Sequence, residues 1–122
     1  MANLKEKAQA LLISAAAIDI NNGTKQSIYV VPTGKSCVIT DIVVRNLSGA
    51  AASNAISFGF NAGASDVIAN ATYASFTGST VYTKINSMAG ATTGTSSQIF
   101  GVIANTPDTA ATATIDVFGY IF

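Results

Sequence analysis

The chemistry-bearing residues of this chain are few: six carboxylates, six amines or guanidiniums, one thiol and no histidine. Without histidine, Ser-His-Asp and Cys-His nucleophilic catalysis and most zinc sites are excluded. Acid-base work falls to Glu6, Asp19, Asp41, Asp66, Asp108 and Asp116, and no two of these stand close together in a motif. A pair of the glycosidase kind would have to be assembled from separate strands. Aspartates beside turns more often shape the turn or face water. Cys37 sits before Val38 and Ile39 in a strand-like run. It reads as a small buried apolar residue, because a reactive thiol needs a base beside it.

Several short patterns imitate known sites. Asn61-Ala62-Gly63-Ala64-Ser65-Asp66 is rich in oxygen but too poor in acids for a calcium loop, and reads as an Asx-rich connection. Gly34-Lys35-Ser36 resembles the end of a phosphate-binding loop, but the upstream glycine is missing, which makes it a turn. Asn22-Gly23-Thr24, Asn46-Leu47-Ser48 and Asn70-Ala71-Thr72 match the glycosylation acceptor by chance in a Ser- and Thr-rich chain. Tyr29, Tyr73, Tyr82 and Tyr120 could build a sugar-stacking platform, but tryptophan is absent and strand tyrosines usually lie at the core edge. No catalytic residue, cofactor site or metal site is expected.

The elements that would hold these residues are strands. At 122 residues the chain suits one domain. Apolar residues make up 49% and charged residues only 10%, against about 25% in an ordinary soluble domain. Small uncharged residues must then cover the surface, a skin that docks on a neighbour at low desolvation cost. The cations are scattered and balanced by acids, which leaves no footprint for nucleic acid. Lys5 and Lys7 before Ala10-Leu11-Leu12-Ile13 imitate a secretory signal, yet the segment is expected to stay in the mature chain. The apolar run is also too short for a membrane span of ~20 residues.

Residues 1–10 read as a short helix or an arm, and 11–122 as one β-sandwich domain. Strands are expected at 11–20, 27–31, 38–47, 56–60, 67–76, 79–86, 97–103 and 111–122, with 27–47 forming a hairpin whose proline takes turn position i+1. Ile56, Phe58 and Phe60 alternate with Ser57, Gly59 and Asn61, as in a half-buried strand. About eight short strands without a long amphipathic helix make an all-β antiparallel sandwich, jelly-roll-like.

The run Ile28-Tyr29-Val30-Val31-Pro32-Thr33-Gly34-Lys35, continued by Ile39 to Asn46, resembles the opening of small β-sandwich virion proteins of tailed phages, of the head decoration or cement type. That resemblance covers mainly residues 27–61 and implies a non-enzymatic subunit on the capsid exterior. Its implied partners are the major capsid protein and copies of itself, often as a trimer. Other readings are a tail or fibre component, a carbohydrate-binding module and a subunit of a non-viral extracellular filament. Leu4, Leu11, Leu12 and Ile13 begin the chain and Phe118, Tyr120, Ile121 and Phe122 finish it, which is unlike frayed polar termini. These eight are the expected subunit interface, unless both ends simply pair in one sheet.

Overall fold

The computed structural model describes residues 10–85 and 93–122. Their strands are β1 (Ala10–Asp19), β2 (Gln26–Val30), β3 (Cys37–Arg45), β4 (Ala55–Gly59), β5 (Ile68–Ala71), β6 (Thr83–Ile85), β7 (Thr93–Gly94), β8 (Ile99–Thr106) and β9 (Thr112–Ile121). No helix occurs among the described residues. One sheet runs β1-β9-β3-β6 with β7 also on β3; the other runs β2-β8-β4-β5. We call them the first and second sheets.

The pairing has a nested logic. β1 pairs β9, β2 pairs β8, β3 pairs β6 and β4 pairs β5, all antiparallel, so the chain is one long hairpin closing from its outside inwards. Rolling that hairpin brings β9 beside β3 and β8 beside β4. The result is a jelly roll. β7 is a two-residue addition on the way from β6 to β8.

The core lies between the sheets. Alternation, reset by an irregularity between Ile39 and Asp41, puts Cys37, Ile39, Ile42 and Val44 of β3 inward, and Ile115 and Val117 of β9 with them. From the second sheet, Phe58 is fully buried with its ring 6.1 Å from Phe100, and Phe60 lies 5.2 Å from the same ring.

Several local expectations are corrected. Residues 27–47 do not form a hairpin: β2 and β3 lie in different sheets, and the Pro32–Lys35 turn carries the chain from one to the other. The amide of Lys35 donates to the Pro32 carbonyl at 3.0 Å, which puts proline at turn position i, not i+1. Gly34 holds φ 79° at position i+2, where a type II turn needs glycine. β4 is not half-buried but covered on both faces. Ser57 lies under the side chain of Asn105, and a Cβ on Gly59 would sit 2.2 Å from the Asp66 carboxylate, because the 60–67 loop folds over it. The runs expected at 67–76 and 79–86 shrink to β5 and β6, with residues 72–82 as a connection that buries Phe76. Of the arm expected at 1–10, Ala10 opens β1 and residues 1–9 lie outside the described residues.

Candidate interaction surface

The five described carboxylates each hold a structural partner. Asp19 accepts from the Asn21 amide at 2.9 Å, and Asp66 accepts from the Phe60 amide at 2.7 Å. Asp108 is bonded by the Ser53 hydroxyl, and Asp41 faces Lys84 at 3.8 Å. Asp116 receives Nε of Arg45 at 2.8 Å and the Ser14 hydroxyl. Asp41 and Asp116 lie one rung apart on the outside of the first sheet, with Asp19 at the far end of the same face. Burial pushes the Asp116 carboxyl up, but the hydrogen bonds from Arg45 and Ser14 and the Arg45 charge outweigh it and hold the group below its ordinary range. A carboxylate held ionised in this way is a poor proton donor.

Burial pushes the Cys37 thiol up to about 11, which keeps it protonated and inert. Among the described residues no group of three or more metal-ligating side chains comes together. The tyrosines are dispersed: Tyr29 and Tyr73 pack against the core, Tyr82 stands 69% exposed before β6, and Tyr120 is on β9. No common sugar platform forms from them.

The outer face of the first sheet is different in kind. Along β9, Phe118 and Tyr120 alternate outward, and Phe122 continues the stripe while its backbone pairs with Ser36 in both directions. Leu11 on β1 lies opposite Phe118 and is 53% exposed, while Val38 on β3 lies opposite Tyr120. Asp41, Val43, Lys84 and Phe118 enclose a shallow depression of about 260 Å³. Beyond it the Arg45, Asp116 and Ser14 cluster closes the polar side. An apolar centre with aromatics and a charged rim has the anatomy of a protein contact.

Among the described residues, five of the six exposed large apolar side chains, Leu11, Val30, Ile99, Ile121 and Phe122, lie towards the end of the sandwich that carries the β2–β3 and β4–β5 loops; Tyr82 lies at the other end.

The expected interface set therefore divides. Leu11, Phe118, Tyr120, Ile121 and Phe122 gather at this face and end, Phe118 and Tyr120 being half-buried. Leu12 and Ile13 pack against the core instead, because a bulge between Leu11 and Ile13 shifts the alternation of β1 and aligns Ile13 with inward-facing Val117. Leu4 lies outside the described residues. The two ends of the chain do pair in one sheet, and the pairing itself leaves the outward apolar residues uncovered.

Sequence reasoning missed two polar devices. Asn54, fully buried, donates to the carbonyls of Ile20 and Thr109 at 3.2 and 2.8 Å and accepts from the Thr109 amide at 2.8 Å. Lys25 lays its stem over Gly101 and donates to the carbonyls of Ile99, Phe60 and Asn61 at 2.7, 3.0 and 3.1 Å. Burial lowers its pKa, against the opposing pull of Asp66. The lone cation before a strand was the available signal for Lys25; Asn54, in an Ala- and Ser-rich run, gave none.

Fold and surface together define an eight-stranded jelly-roll domain with an added short strand and an outward apolar face. No protein-family model matches the sequence, and no curated protein or solved structure matches it.

Proposed function

We propose that this chain is a non-enzymatic structural subunit of a tailed-phage particle, a decoration or cement protein that seats on the major capsid lattice from outside. Made in the host cytoplasm, it would associate with copies of itself and with capsid protein. A trimer is the form the family resemblance implies. The observation that carries this reading is the outward aromatic stripe Phe118, Tyr120 and Phe122 with Leu11 beside it, on a chain with 10% charged residues. Apolar area of this kind, rimmed by polar groups, marks a contact site on a soluble domain. The jelly roll is a fold used in virus capsids, though also in lectins, so it supports the reading by analogy alone.

A mass-spectrometric inventory of purified particles of the encoding phage tests it. The chain should be present at a copy number commensurate with the capsid lattice. Absence from particles, or a few copies confined to tails, would overturn the decoration role.

A further inference from the structure

The turn between β1 and β2 folds a side-chain amide back along the chain. Asn22 Oδ1 accepts from the Thr24 amide at 2.9 Å, which makes an Asx turn. The ring closed by this bond runs through both Cγ of Asn22 and the nitrogen of Gly23, so an electrophilic carbon and a backbone nucleophile are held in one small loop. The Thr24 N–H also points at the oxygen that takes up negative charge when that nitrogen attacks. A second bond acts on the nucleophile. The Asn22 carbonyl accepts from the Ala104 amide at 2.9 Å, which polarises the 22–23 peptide and makes the Gly23 N–H easier to deprotonate. Gly23 is exposed, and even a Cβ there would meet nothing closer than 3.9 Å, so water and hydroxide reach the peptide. Of the nine asparagines in the chain, Asn22 is the one followed by glycine, and no side chain shields the attacking nitrogen.

We infer that Asn22 is a site of spontaneous deamidation, with water as the co-reactant. The Gly23 nitrogen gives its proton to hydroxide and bonds to Cγ of Asn22; the Cγ–Nδ2 bond then breaks, and ammonia leaves with a proton taken from water. The resulting five-membered succinimide adds water at one of its two carbonyls. Opening at Cγ leaves aspartate at position 22, and opening at the former backbone carbonyl leaves isoaspartate, with one more methylene in the main chain. Either product adds a negative charge to a chain whose net charge is zero. The new carboxylate stands beside Asn21, whose amide bonds Asp19 and whose side chain holds the Asp108 amide, so acidic groups gather at this turn.

Peptide mass spectrometry of the full chain, aged in mildly alkaline buffer both folded and unfolded in guanidinium chloride, tests the assignment. In the folded chain Asn22 should convert at least as fast as in the unfolded one, and ahead of every other asparagine by about tenfold or more, with isoaspartate among the products. Gly23→Ala, which the open space around Gly23 accommodates, should slow conversion by about tenfold or more at an unchanged melting temperature. Asn61 is the internal control, because its Oδ1 takes a like bond from the Ser65 amide at 2.8 Å but alanine follows it. Slower conversion of Asn22 in the folded chain than in the unfolded one, a rate no higher than that of Asn61, or a rate indifferent to Gly23→Ala would overturn the inference.

Discussion

The two ends of the sandwich both tie their loops with polar side chains, but they differ in how much apolar surface they expose. At one end, where residues 20–25, 46–54, 72–82 and 107–111 connect strands, polar side chains knit loop to loop. Asn54 bridges Ile20 and Thr109, Asn21 accepts from the Asp108 amide at 2.8 Å, and Ser48 accepts from the Thr112 amide at 2.8 Å. At the other end Lys25 reaches across three carbonyls, Ser96 accepts from the Gly34 amide at 2.8 Å and Asp66 from the Phe60 amide at 2.7 Å, yet apolar side chains stand in water as well. Buried polar networks fix loops when every member is paired. Exposed apolar area instead leaves free energy to be gained from a neighbour. The lesson is that polar closure of the loops and exposure of apolar side chains are separate properties, and only the second distinguishes the two ends.

Mutations can break that contrast at graded cost. Phe58→Ala sets the scale, since it empties the shared core beside Phe100 and should lower unfolding stability by ~3–5 kcal/mol; an unchanged melting temperature would mean that Phe58 is not a core residue. Asn54→Ala should cost about 2–3 kcal/mol in urea unfolding, because it strands the buried Ile20 carbonyl and the part-buried carbonyl and amide of Thr109. Lys25→Met keeps the stem over Gly101 and should cost about 1–2 kcal/mol, less than Asn54→Ala because water can reach the Asn61 and Ile99 bonds. Were Lys25→Met the costlier of the two, the open end would be the one that holds the fold.

A smaller effect comes from Asp116. Its folded pKa lies below the unfolded value, so its contribution is present above the ordinary carboxylate range and is lost as pH falls through the depressed folded value. Unfolding midpoints measured down that acid range should lose this component in Asp116→Asn. Identical acid profiles for variant and wild type would detach the Arg45 cluster from stability. The smallest effect on the monomer is expected from Leu11→Ser and Phe122→Ser, each within about 0.5 kcal/mol.

Much of this fold was legible in the sequence because β-branched and aromatic runs between turn residues mark strands irrespective of partner. Phe58 was readable as core for that reason. Pairing was not: Val31 and Cys37 are joined by one short turn, yet Val31 bonds to Gln98 and Ser97 while Cys37 pairs in the other sheet. Nesting joins residues from opposite ends of the chain, as in Ser14 with Asp116, and local pattern carries no record of such partners. That Leu12 and Ile13 pack against the core was not legible, because a bulge moves the alternation by one position without altering composition. A second irregularity between Ala15 and Ile18, where Ala17 takes φ 57°, was equally silent. The apolar character of Leu11 and the Phe118–Phe122 run was readable directly, whereas their outward placement and the Asp41–Lys84 and Arg45–Asp116 rim depend on strand register.

The direct test of the open end is hydroxyl-radical footprinting of the intact chain at low and high concentration. Leu11 and Phe122 should lose reactivity as concentration rises, while Val30, half exposed on β2 of the second sheet, should keep it. Constant reactivity at Leu11 and Phe122, or protection of Val30 in their place, would contradict the assignment of the outer face of the first sheet as the surface of assembly.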